Sequence, residues 1–153
     1  MARVLDEVYI GSYMTASDEK WLSHHGIKTI VNLSCAKVAG ASPDRKVINV
    51  VVEDTELAGP RARKNVAGLL KAAKFIKEHE PDGPILVNCM AGINRSATAI
   101  GIYFLKQGRD LEDILDGLVA ANKKRGVDLL TNPSFRLLLM AVRDKHSALR
   151  LPD

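Results

Sequence analysis

The sequence predicts an α/β fold in which helices cover a mostly parallel sheet. Short runs rich in β-branched and aliphatic residues alternate along it with longer segments of three- and four-residue apolar spacing. Strong turn signals separate the two kinds of segment, Pro81-Asp82-Gly83-Pro84 above all. The chain has 153 residues, 46% hydrophobic and 26% charged, which is ample apolar material for one core. No repeat, low-complexity tract or linker divides it, so residues 1–153 are expected to form a single domain.

Glu7-Val8-Tyr9-Ile10, closed by Gly11-Ser12, reads as the first strand. Ser17 is the expected N-cap of a short helix through Trp21 and Leu22, and Gly26 its stop. Ile27 to Leu33 and Val47 to Val52 read as buried strands, with the polar loop Gly40-Ala41-Ser42-Pro43-Asp44 between them. From about Arg61 the period lengthens. Ala62, Val66, Leu69, Leu70, Ala73 and Ile76 form one apolar face, with lysines and arginines between them. Ile85-Leu86-Val87 is a short apolar strand. Ser96 to Gln107 is an apolar helix closed by Gly108, and Asp110 opens another that Gly126 ends. Asn132-Pro133 caps and starts a last helix through Leu137, Leu138, Ala141 and Val142.

Composition removes several classes. No apolar run approaches the roughly 20 residues of a membrane span. The opening MARVLDEVYIGS carries acids and lacks a long apolar stretch, so it does not read as a secretory signal. Cys35 and Cys89 make no disulfide framework, and the expected setting is reducing: cytoplasmic, with the nucleus also open. Two cysteines and four scattered histidines offer no zinc-ligand spacing. The net charge of +4 is spread among acids without a basic stripe, so nucleic acid is not the expected partner.

The chemistry concentrates in Ile85-Leu86-Val87-Asn88-Cys89-Met90-Ala91-Gly92-Ile93-Asn94-Arg95-Ser96. A cysteine ends an apolar strand, five residues follow, and a helix begins at an arginine. A loop of that length curls until successive N–H groups, those of Met90, Ala91, Gly92, Ile93, Asn94 and Arg95, converge as an anion-binding nest. Gly92 permits the curl. The helix directs its free N–H groups and positive dipole end at the same point. Arg95 adds a planar fork that can hold two oxygens of a tetrahedral dianion. Cys89 lies at the floor, where the positive field favours thiolate over thiol. Such a loop binds phosphate and sets a nucleophile beneath the phosphorus.

In these residues the chain resembles the cysteine-dependent protein tyrosine phosphatase superfamily, and within it the dual-specificity phosphatases. CMAGINRS matches the family signature of Cys, five residues, Arg and Ser or Thr. The resemblance covers nearly the whole chain: EVYIGS is similar to the family's first strand, IKTIVNLS to the strand after its first helix, and TNPSF to the start of its last helix. It implies a central sheet of about five strands, four parallel with one antiparallel addition, flanked by helices. It also implies a proton donor, an aspartate in a loop after a strand. Asp54, in Val50-Val51-Val52-Glu53-Asp54-Thr55, takes that place, with Glu53 and Glu56 as alternatives of the same chemistry. Ser96 would hydrogen-bond the thiolate, and Asn32 and Asn94 resemble positions that brace the loop. One position departs. The family usually has histidine before the nucleophile, and this chain has Asn88, which can donate a hydrogen bond but carries no positive charge.

The implied activity is hydrolysis of phosphotyrosine in proteins, extending to phosphoserine and phosphothreonine, through a cysteinyl-phosphate and without metal or other cofactor. The alternatives are a phosphoprotein-binding adaptor with weak or no turnover, and a phosphatase for a non-protein phosphate such as an RNA 5′-phosphate. The uncharged side chains of Met90, Ala91, Ile93 and Asn94 point away from a multiply phosphorylated substrate. Cys35 is read as an unpaired small side chain, with redox pairing to Cys89 as the other possibility.

Overall fold

The computed structural model describes residues 2–36, 38, 43–55, 57, 59–126 and 132–150. Five strands, β1 (Ala2–Leu5), β2 (Val8–Gly11), β3 (Thr29–Asn32), β4 (Lys46–Asn49) and β5 (Ile85–Asn88), form one sheet in the order β1-β2-β5-β3-β4. β2, β5, β3 and β4 are parallel, and β1 pairs antiparallel with β2 at the edge. The helices are α1 (Tyr13–Ala16), α2 (Glu19–His24), α3 (Ala62–His79), α4 (Arg95–Lys106), α5 (Leu111–Arg125) and α6 (Pro133–Arg150). The expected α/β class and mostly parallel sheet are both present. Among the described residues, no helix is long and apolar enough to cross a membrane.

Register sorts the side chains into rows, because successive residues of a strand face opposite ways. Tyr9, Leu86, Ile30 and Val47 share one row and pack with Leu22 of α2 and Ile27. The next row, Ile10, Val87, Val31 and Ile48, faces the larger cluster built on α3, α4 and α6. There Leu69, Ile76, Ile100, Phe104 and Phe135 are fully enclosed, each worth about 1.5–3 kcal/mol of burial. α4 is the centre of this face. Every residue from Arg95 to Leu105 is buried, as suits a helix covered on all sides. At Gly101 a Cβ would lie 2.8 Å from Leu139 Cδ2, so a larger residue there would oblige the Leu139 side chain of α6 to shift. The third row is polar: Gly11, Asn88, Asn32 and Asn49, at the carboxyl ends of the strands. Open parallel sheets bind ligands at this edge.

The structure corrects several boundaries. Two helices stand where one was expected near Trp21, and Ser17 caps neither N-terminus. Ser12 Oγ accepts from Thr15 N to start α1, and Asp18 Oδ1 accepts from Trp21 N at 3.1 Å to start α2. Ser17 instead closes α1 in helical backbone, its Oγ donating to the Tyr13 carbonyl. β1 was missed. It is four residues of edge strand, held by pairing with β2 and by α5 lying across it. The strands expected over Ile27 to Leu33 and Val47 to Val52 shorten to β3 and β4, and residues 50–54 leave the sheet to approach the site. Of the polar loop before β4, residues 40–42 lie outside the described residues, and Pro43 and Asp44 form a turn.

Candidate active site

The Asn row sets the floor. Asn88 Nδ2 donates to Asn32 Oδ1 at 2.9 Å, and Asn32 Nδ2 donates to Asn49 Oδ1 at 2.9 Å, linking three parallel strands side chain to side chain. Asn32 Nδ2 also reaches the Ala36 carbonyl, and Asn32 Oδ1 accepts from the Ser34 hydroxyl at 2.6 Å. Asn32 therefore braces the end of β5 directly. Asn88 is fully buried, and its Oδ1 has no partner. Because the ladder is neutral, Asn88→His would introduce a chargeable ring one residue before Cys89, with Asn32 Oδ1 as its acceptor. That change is expected to raise several-fold the rate at which iodoacetamide alkylates Cys89 at mildly acidic pH. Equal rates in two folded proteins would show that residue 88 does not govern the thiol.

Cys89 follows β5 and is 2% exposed, with its Sγ 3.2 Å from the Ser96 Oγ in the first turn of α4. Cys35 is exposed, and both cysteines are free thiols. Loop 89–95 is fastened from outside. Tyr13 N, opening α1, donates to the Met90 carbonyl at 3.3 Å. Arg125, at the end of α5, donates to the Ala91 and Gly92 carbonyls at 2.6 and 2.7 Å. Gly92 has φ 73°, and a Cβ there would meet the Arg125 guanidinium and the Gly11 carbonyl oxygen at 2.6 Å. Both backbone angle and space demand glycine.

Arg95 is buried and anchored at one corner. Its Nη1 donates to the carbonyls of Val52 at 2.9 Å and Leu33 at 3.3 Å, the residues just beyond β4 and β3. Its Nε is buried without a partner. A buried guanidinium N–H left unpaired costs on the order of 1–3 kcal/mol, which an arriving oxyanion would recover.

Asp54 reaches the loop. Its carboxylate accepts from Asn94 Nδ2 at 3.2 and 2.9 Å and from Asn132 Nδ2 at 3.2 Å. Asn132 also donates through Nδ2 to the Thr55 carbonyl and through its backbone N–H to Asn94 Oδ1 at 3.0 Å. Its own Oδ1 caps α6 by accepting from Ser134 N, and Ser134 Oγ accepts from Leu57 N at 3.0 Å. The start of α6 thus ties the Asp54 segment to loop 89–95. Glu53 points elsewhere: its carboxylate pairs with Arg61 at 3.1 and 3.2 Å, and its N–H donates to Asn65. Glu56 lies outside the described residues.

Sequence reasoning therefore placed Cys89, Arg95, Ser96, Asn94 and Asp54 in what the structure makes one neighbourhood. It missed Asn132, Ser134 and Arg125. Asn132 was visible only as a helix cap, and Arg125 only as one basic residue in a last helical turn. Burial pulls the Arg125 guanidinium below its ordinary pKa, and the negative charge of an ionised Cys89 opposes that fall.

The chain is similar to known proteins over most of its length. Dual specificity protein phosphatase OPG106 of monkeypox virus is 28% identical over 139 residues, covering 89% of this chain and 78% of the viral protein. Human dual specificity protein phosphatase 16 is 31% identical over 108 residues, which are 69% of this chain and 15% of that protein. The crystal structure of human DUSP28, 24% identical, shares the fold with a TM-score of 0.81 over 97% of this chain and 99% of that one. The family profile described as dual specificity phosphatase, catalytic domain, matches residues 8–145. That match runs from β2 through loop 89–95 into α6, and the chain belongs to the dual specificity phosphatase family.

Proposed function

We propose that this chain hydrolyses phosphotyrosine in proteins, and phosphoserine and phosphothreonine as well, through a phosphate ester of Cys89 and without a metal. The observation that carries the reading is Arg95: buried, anchored through Nη1, and left with an unpartnered Nε beside the loop that holds Cys89. A phosphoryl group seated in loop 89–95 would take its equatorial oxygens to Arg95 and to the N–H groups of Met90, Ala91, Gly92, Ile93 and Asn94. The Cys89 thiolate attacks phosphorus, forming the S–P bond as the P–O bond to the substrate breaks. Asp54 gives its proton to the departing oxygen, then takes one from the water that cleaves the S–P bond and frees phosphate. Ser96 Oγ, 3.2 Å from Sγ, donates to the sulfur as it leaves. The exposed Met90 on the loop and exposed Tyr13 at the start of α1 offer an apolar rim for an aryl ring. Two free thiols accord with a cytoplasmic setting.

The experiment compares two leaving groups. Asp54→Asn is expected to slow an alkyl phosphate by about 10²-fold or more, while an activated aryl phosphate, which departs unprotonated, slows far less. Equal slowing of both substrates, or the same selectivity from Glu53→Gln, would move the acid away from Asp54. Phosphopeptide binding by the wild type without turnover would favour the adaptor.

A further inference from the structure

We propose that Arg125 is a positioning residue that turns two amides of loop 89–95 inward, toward the bound anion; this rests on the phosphatase reading above. The peptide unit is planar and trans, so its C=O and N–H point in opposite directions. The Ala91 oxygen belongs to the unit that carries the Gly92 N–H, and the Gly92 oxygen to the unit that carries the Ile93 N–H. Arg125 holds both oxygens from the α5 side, through Nη2 at 2.6 Å and Nη1 at 2.7 Å. The two N–H groups must then face away from α5. At φ 73° Gly92 lets these consecutive amides converge, and its missing Cβ leaves the space the guanidinium fills.

The clamp is itself braced. Arg125 Nη1 also donates to Asn122 Oδ1 at 2.9 Å, one turn earlier on the same face of α5, and Asn122 is buried. A planar fork suits this task because one rigid group reaches two neighbouring carbonyls at once, which an ammonium on a flexible stem does not. Among the described residues, no carboxylate forms an ion pair with Arg125, and its partners are neutral oxygens. A partly buried cation at this place complements the thiolate and the phosphate dianion. The side chains of Met90, Ala91, Ile93 and Asn94 carry no charge, and the geometry of the loop amides is kept from behind, by a residue on another helix.

The test measures binding of inorganic phosphate and vanadate to the wild type, Arg125→Lys and Arg125→Gln, with melting temperature measured without anion. Arg125→Gln is expected to lose about tenfold or more in affinity for both ions. Arg125→Lys, which keeps the charge but not the fork, is expected to lose several-fold. In ¹H–¹⁵N spectra, phosphate should shift the Gly92 and Ile93 amide resonances of the wild type strongly and those of Arg125→Gln weakly. If Arg125→Gln does not fold, Arg125→Lys alone decides. A folded variant that binds both ions as tightly as the wild type, with the same amide shifts, overturns the clamp. A wild type that binds neither ion overturns the phosphatase reading instead, whatever the variants do.

Discussion

Cys89→Ser is expected to lower hydrolysis of an aryl phosphate by at least roughly 10⁴-fold while leaving phosphate binding in place. A serine hydroxyl fits the space, but an alcohol is a far weaker nucleophile than a thiolate. The nearest side-chain partner is another hydroxyl, that of Ser96 at 3.2 Å from the native sulfur. Arg95 keeps its anchors on Val52 and Leu33, and the loop keeps its fastenings to Tyr13 and Arg125. The anion cup therefore survives its nucleophile. Vanadate or phosphate affinity within a few-fold of wild type, together with lost turnover, is the expected pair of results. Residual activity near the wild-type level would end the covalent mechanism.

Arg95→Lys is expected to cost about 10²–10³-fold in kcat/KM and to weaken phosphate binding in parallel. The native guanidinium performs two tasks with different atoms. Nη1 satisfies the carbonyls of Val52 and Leu33, while Nε remains for the ligand. An ammonium has a single nitrogen and cannot reach two backbone carbonyls and present a planar fork together. Either the carbonyls or the phosphate oxygens go unpaired in a buried place, at about 1–3 kcal/mol for each group. A mild effect on both binding and turnover would mean that Arg95 does not meet the phosphate.

Local patterns were the most legible part of the sequence. The helix from Ala62 declares itself through its repeated apolar face, and its end through Pro81 and Gly83. Cys89, Gly92, Arg95 and Ser96 are legible because nest, guanidinium and nucleophile must lie within one short loop between a strand and a helix. Asp54 was reachable only through family resemblance, since nothing local distinguishes it from Glu53. The Arg61 ion pair and the Asn94 hydrogen bonds separate the two in space. β1 was hidden because four residues at a sheet edge have too little period to read, and its pairing depends on β2 and α5. Arg125 and Asn132 were hidden for a related reason. Their partners Gly92 and Asp54 lie 33 and 78 residues away, and only the packing of α5 and α6 against the loop brings them together.

Transfer of phosphate to Cys89 is observed most directly by acid-quenching Asp54→Asn during hydrolysis of an activated aryl phosphate and mapping the modified peptide by mass spectrometry. In this variant the first step proceeds, because the leaving group departs unprotonated, and the second stalls for want of a base. Near-stoichiometric phosphate on the peptide that contains Cys89, and none in Cys89→Ser, is the expected result. Continued hydrolysis with no phosphate on Cys89, or with phosphate on Cys35 or a histidine instead, would contradict it.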